Sequence, residues 1–204
     1  MSEYTNQQKE QIARNEYGTY EIGEPVRIGE EDEEIIIGYV SEIKDTASGL
    51  QAYVVTDVKL PKNSTKADYD KVSHVTMLYR GSSSFNEVLE KPWDVAMDWF
   101  ENDIPMALRI AVPDWVPTQG TVQLKEAADF GNASLAKYRK ATFSFYGHSL
   151  ASMDVQHTVT SLKDEYLERI SGVYVYNGPN TYRTLPGVEL KKLQKIRIGN
   201  GIKS

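Results

Sequence analysis

One serine lies where a strand pattern gives way to a helix pattern. It is the centre of Gly147-His148-Ser149-Leu150-Ala151, a Gly-x-Ser-x-Ala segment that follows the aromatic run 141–146. Small residues two places before and after the serine let the strand and the helix pass closely, and they lift the hydroxyl clear of the sheet at a strained backbone angle. This arrangement predicts that Ser149 is a nucleophile. The simpler interpretation is that Ser149 caps the helix.

Two segments resemble the class 3 (fungal-type) lipases. Residues 75–84, Val-Thr-Met-Leu-Tyr-Arg-Gly-Ser-Ser-Ser, are similar to the oxyanion strand and loop of that family, which ends in Arg-Gly-Ser or Arg-Gly-Thr. Residues 147–150 are similar to its Gly-His-Ser-Leu-Gly elbow, with Ala151 in place of the last glycine. The spacing from Ser82 to Ser149 is also the one that the family leads us to expect. Weaker matches are Trp93 with Asp98 and the turn Asn177-Gly178-Pro179. The resemblance covers about residues 72–200.

This resemblance implies a role for each matching residue. Ser149 would attack the carbonyl carbon of an acyl ester. Ser82, through its backbone and hydroxyl, and the backbone N–H of Leu150 would form the oxyanion hole, an arrangement that places one donor beside the nucleophile and one on a neighbouring loop. Four further residues would support the two segments: Arg80, Gly81, Gly147 and His148. The implied substrate is an acyl ester or lipid, with transient contact with a membrane surface.

A catalytic base is harder to find in this sequence. A serine hydroxyl needs one, normally a histidine held by an acid, and in this architecture the chain order is serine, acid, histidine. The one histidine after Ser149 is His157, eight residues along the same predicted helix and therefore about 12 Å away. His148 is a spacer within the elbow, and His74 precedes the oxyanion strand. The acids Asp164 and Glu165 are predicted to lie on the helix that follows the elbow.

Two functional hypotheses follow from this gap. The first is a serine ester hydrolase of lipase or phospholipase type, whose acid and histidine lie in further chain beyond Ser204, so that residues 1–204 are the N-terminal part of a longer catalytic domain. The second is a non-catalytic or incomplete lipase-like domain used for binding. A nucleotide-binding domain is excluded because neither Gly-x-Gly-x-x-Gly nor Gly-x-x-x-x-Gly-Lys occurs. The aromatic-rich segment 93–116 is either core or the lid that a lipase carries.

The elements needed to position Ser149 are those of an α/β domain. Strands alternate with helices, which predicts a single domain over 1–204 with a mostly parallel central sheet, helices on both faces and an antiparallel N-terminal hairpin in region 1–70. The core with the oxyanion loop and the elbow covers 71–204. The predicted strands are 35–40, 50–55, 75–79, 141–146, 172–177 and 193–198, and the predicted helices are 2–17, 88–100, 121–140 and 150–169. The acidic stretch 21–34 and the polar stretch 61–70 are predicted loops.

Composition limits the partners and the cofactors. There are 23 basic and 29 acidic residues, a net charge of −6, which argues against nucleic-acid binding because phosphate affinity needs clustered Lys and Arg. The chain has no cysteine and three separated histidines, so no metal site and no cofactor are predicted. No apolar run is long enough for a membrane helix. The polar N-terminus is no secretory signal, so we expect a cytoplasmic protein or one exported without a cleaved signal peptide.

Overall fold

Six strands form one sheet in the order in which they occur along the chain. The structure, a computed structural model, describes residues 4–30, 33–80, 119–149 and 151–178. The elements in these ranges are α1 (Asn6–Arg14), a 3₁₀ turn (Asn15–Tyr17), β1 (Pro25–Ile28), β2 (Ile35–Asp45), β3 (Gln51–Thr56), α2 (Lys66–Tyr69), β4 (His74–Arg80), α3 (Gln119–Lys137), β5 (Thr142–His148), α4 (Ala151–Thr160), a second 3₁₀ turn (Asp164–Arg169) and β6 (Ile170–Tyr176).

The sheet is mixed in direction. Strands β1 to β4 pair antiparallel with one another, whereas β4, β5 and β6 pair in parallel. The α/β class predicted from the sequence is therefore confirmed, but among the described strands the parallel part is limited to β4–β6. Both parallel connections contain a helix, α3 before β5 and α4 after it, as parallel pairing requires.

Each face of the sheet has its own apolar core, and β5 contributes to both. On one face, Phe143 and Phe145 pack with apolar residues of α3 and α4. On the other face, Tyr146 packs with Ile12 and Ala13 of α1. Because successive strand residues point to opposite faces, a strand covered on both sides is buried along its length, as β5 is from Phe143 to His148.

An arginine fixes the point where α3 ends and β5 begins. The Arg169 guanidinium donates to the carbonyl oxygens of Leu135 at 2.7 Å, Tyr138 at 2.9 Å and Ala141 at 3.4 Å. The last carbonyl groups of a helix have no partner within the helix, and cationic donors stabilise them. Arg169 therefore ties the start of β6 to the start of the strand that carries the elbow.

Three predicted boundaries are wrong. Strand β1 lies within the stretch 21–34 that was predicted as a loop, and it is a short edge strand with Val26 and Ile28 buried. Helix α2 forms a single turn within the predicted loop 61–70. The predicted helix 150–169 is broken, because α4 ends at Thr160, whose hydroxyl donates to the carbonyls of Gln156 at 3.0 Å and His157 at 2.9 Å.

This break moves Asp164 and Glu165 off the elbow helix and into a separate 3₁₀ turn. The predicted helix 88–100 and the predicted strand 193–198 lie outside the described residues. Within the described ranges, no helix combines the length and the apolar character needed to cross a membrane.

Candidate active site

Ser149 occupies a strained turn between β5 and α4. Its φ is 55°, in the left-handed region that residues with a side chain rarely adopt. Its N–H donates to the carbonyl of Tyr176 at 2.8 Å, and its own carbonyl accepts from the N–H of Ser152 at 3.1 Å. The side chain is partly exposed. The predicted position, a strained strand-to-helix turn at the carboxyl end of the sheet, is confirmed. Such strain costs about 1–3 kcal/mol and persists only where the surroundings enforce it.

Gly147 lets α4 approach the end of β5. A Cβ atom at this position would lie 2.7 Å from the carbonyl oxygen of Ala151 and 2.9 Å from Cγ2 of Val155. Ala151 itself is fully buried against the sheet. The small residues of the Gly-x-Ser-x-Ala segment are therefore explained by close packing at both of their positions.

A second strained turn lies beside the first. Asn177, directly after β6, has a φ of 50°, and it and Ser149 are the two non-glycine residues with a left-handed φ in the described ranges. The two turns are in register, because His148 of β5 pairs with Tyr176 of β6. A Cβ atom on Gly178 would collide with the Ser149 carbonyl oxygen and the Ser152 side chain. The two turns thus interlock at the carboxyl edge of the sheet.

The residues predicted to form the oxyanion hole and its loop, Ser82, Gly81 and Leu150, lie outside the described residues. The strand that precedes the predicted loop is described. Residue Tyr79 of β4 pairs with Gly147 of β5, so the two parallel strands end side by side. The end of β4 therefore lies next to the elbow.

Arg80 is the last residue of β4 and was predicted to brace that loop. Its Nε is buried and has no hydrogen-bond partner among the described residues. Its positive charge acts on the nearby side chains of Glu16 and Tyr17. In the described part of the chain, Arg80 is thus associated with the N-terminal turn, and its predicted role in the loop stays a prediction.

Glu16 is a site residue that the sequence analysis missed. It is wholly buried, and its Oε2 accepts from the backbone N–H of His148 at 2.9 Å. Burial raises the pKa of Glu16 well above its usual range, and the His148 N–H, the Tyr17 hydroxyl and the Arg80 charge act in the opposite direction. A signal was present in the sequence, because Glu16 is four residues after Ile12 and so continues the buried side of α1.

The His148 side chain points away from α4, towards the N-terminal turn. Its Nδ1 lies 3.0 Å from the Tyr17 hydroxyl and its Nε2 lies 3.2 Å from the Asn177 amide nitrogen. Because the amide donates to Nε2, the neutral ring carries its proton on Nδ1 and donates to Tyr17. Burial also lowers the pKa of His148. Both ring nitrogens of His148 are therefore engaged by partners other than Ser149.

The other two histidines are also remote from Ser149. His74 pairs with Thr142 at the opposite end of β5, its Nδ1 2.9 Å from the threonine hydroxyl, and a strand of this length spans roughly 23 Å. His157 lies within α4, about 9 Å along the helix axis from its first residue. All three histidines of the chain fall in the described ranges, and none is placed as a base.

Asp154 is a second buried carboxyl close to the elbow. It lies in the first turn of α4 and accepts a hydrogen bond from Nε2 of Gln123 on α3 at 2.9 Å. Burial raises the pKa of Asp154 to about 7. Its described hydrogen-bond partner is on α3, so it joins the two helices. In the described part of the chain, no group of His, Asp or Glu side chains could hold a metal ion.

No protein-family model, curated protein or solved structure matches this chain. The similarity to class 3 lipases therefore depends on the segments quoted from the sequence, and the geometry of the elbow is independent of it.

Proposed function

We propose that this protein is a serine ester hydrolase in which Ser149 is the nucleophile. The observation that carries the proposal is the left-handed φ of Ser149 between a parallel strand and a helix. An exposed hydroxyl on such a turn stands at the carboxyl end of the sheet, beside the backbone N–H groups that open the helix. A plain helix cap does not need a strained angle, because the usual cap residue has an extended backbone.

The neighbouring strand supports an oxyanion hole at the same place. Acyl transfer needs two N–H donors about 3 Å from the developing oxyanion, one of them usually after the nucleophile and one on the loop of an adjacent strand. In this proposal Leu150 and Ser82 supply them. The pairing of β4 with β5 supports this assignment, because the described end of β4 lies beside the strand that leads to Ser149.

The proposed fold family is that of the α/β-hydrolases, and the proposed substrate is an acyl ester of lipase or phospholipase type. Parallel strands β4–β6 with helices on both faces support the fold assignment. The substrate class comes from the class 3 lipase resemblance, as does transient contact with a membrane surface. The apolar segment 93–116, proposed as core or as a lid, lies outside the described residues.

A second candidate function is favoured by the positions of the histidines. Because none of the three is placed to take a proton from Ser149, the 204 residues form either an incomplete hydrolase that needs further chain, or a lipase-like domain that binds a ligand without catalysis. The incomplete hydrolase is preferred because a binding domain has no need of a strained nucleophile turn.

Chemical rescue with imidazole tests this choice. A small base that diffuses into the site can replace a missing histidine, so added imidazole should raise p-nitrophenyl ester hydrolysis by the chain beyond the sum of the separate rates. This increase in the hydrolysis rate on adding imidazole should vanish in Ser149→Ala. The same increase should persist in Ser152→Ala, which removes a buried hydroxyl that has no hydrogen-bond partner in the described part of the chain. An increment that is equal in the wild type and in Ser149→Ala would exclude Ser149 as the nucleophile and leave the binding function.

A further inference from the structure

Glu16 has no part in the proposed reaction, but its carboxyl group accepts a hydrogen bond from the backbone N–H of His148 in the elbow. It lies in the 3₁₀ turn Asn15–Tyr17, fully enclosed, with Oε1 lacking a hydrogen-bond partner among the described residues. Burying a carboxyl group without full hydrogen bonding is unfavourable for the folded state. A purely structural position would be better filled by an apolar residue of similar size. The presence of the acid therefore calls for a role of its own.

The His148 N–H lies at the end of the pairing between β4 and β5. Successive N–H groups of a strand point to opposite sides, and the N–H of Ser149 points to Tyr176 of β6. The N–H of His148 therefore points towards the β4 side. The register between β4 and β5 ends at Tyr79 and Gly147, and at this end Oε2 of Glu16 accepts from the His148 N–H at 2.9 Å.

We propose that Glu16 is a positioning residue for the nucleophile, acting through the backbone of His148. Its carboxyl group holds the end of β5 in strand geometry at the point where the described pairing with β4 ends. The adjacent Tyr17 reinforces this hold, because its hydroxyl contacts the His148 ring at 3.0 Å. Glu16 is thus proposed to fix the backbone position of Ser149. The effect of that position on catalysis rests on the proposed function.

Three variants separate positioning from stability. Glu16→Met keeps the volume of the side chain but removes the acceptor, and an apolar residue in place of a buried acid is expected to leave the fold intact. Glu16→Gln keeps an acceptor oxygen for the His148 N–H. Asp154→Asn changes another buried carboxyl, which accepts from Gln123 of α3 and whose charge acts on Glu16, so it is the matched control for a change of buried charge that leaves the acceptor at His148 in place.

The first measurement is backbone amide hydrogen exchange by NMR at His148, with Tyr146 of the same strand as internal reference. A hydrogen bond to a carboxyl group is strong, so its loss in Glu16→Met should speed His148 exchange relative to Tyr146 roughly ten-fold or more. Glu16→Gln and Asp154→Asn should stay within about three-fold of the wild type. A ratio in Glu16→Met equal to that of the wild type would overturn the inference.

The second measurement is the Ser149-dependent, imidazole-rescued ester hydrolysis of the same variants. Glu16→Met should lower it roughly ten-fold or more, with Glu16→Gln restoring most of the rate, because a small displacement of a nucleophile is costly. If the wild type shows no Ser149-dependent rate, the proposed function fails, whereas the exchange ratio still decides whether Glu16 holds the elbow. A wild-type rate in Glu16→Met would refute the catalytic part of the inference.

Discussion

Without an added base, the 204-residue chain should hydrolyse p-nitrophenyl esters slowly. Ser149 remains a neutral hydroxyl, because the nearest ring, that of His148, has both nitrogens engaged by Tyr17 and Asn177. Hydrolases that lose one triad member keep roughly 10³–10⁴-fold catalysis over water from the oxyanion hole and binding, far below the full enhancement. The rate should also rise with hydroxide concentration without the inflection near pH 6–7 that a histidine base produces.

The measurement is steady-state turnover across pH 5–9 with Ser149→Ala as control. Rapid, Ser149-dependent turnover with an inflection near neutral pH would contradict the prediction. His157 would then be the residue to replace, since it is the one histidine within the elbow helix. Its rate effect would show whether α4 moves enough to bring that ring to the hydroxyl.

Gly147→Ala should cause a large loss of stability. The new methyl group would meet the Ala151 carbonyl oxygen at 2.7 Å, and a backbone atom in the first turn of α4 cannot move without shifting the helix. Overpacking of this kind costs about 1–3 kcal/mol, and a backbone collision belongs to the upper end of that range.

Gly172→Ala is the matched control for this prediction. Gly172 lies in the neighbouring parallel strand β6, and the atoms that a Cβ would approach belong to the outer end of the Tyr174 side chain and not to the backbone. Urea unfolding followed by circular dichroism should show a loss of unfolding free energy at least twice as large for Gly147→Ala as for Gly172→Ala. Equal losses would mean that the close contact between β5 and α4 is not needed.

The elbow could be predicted from the sequence because its determinants are local. Small residues at 147 and 151 and the apolar run before them are sufficient to place a tight strand-to-helix turn, and the structure has that turn. Strands β4 and β5 could also be predicted, since strands buried on both faces are rich in apolar residues at successive positions.

Features that depend on distant contacts were missed. Glu16 meets the N–H of His148, a residue far along the chain, and no local pattern tells which acid on the buried side of a helix finds such a partner. Strand β1 is equally dependent on its neighbour β2, because four residues at a sheet edge carry little signal of their own. The end of α4 was missed because Thr160 competes for helix carbonyls, an effect that hydrophobic periodicity does not show.

Covalent capture of Ser149 tests the central claim most directly. The chain is treated with a fluorophosphonate in the presence of imidazole, and the adduct is located by peptide mass spectrometry. A nucleophile on a strained turn beside N–H donors should be phosphonylated, with loss of fluoride, far faster than other serines. If Ser149 is the nucleophile, we expect one adduct, on Ser149. This adduct should be absent in Ser149→Ala and retained in Ser152→Ala. Labelling spread over several serines, or no labelling of Ser149 while the chain is folded, would contradict it.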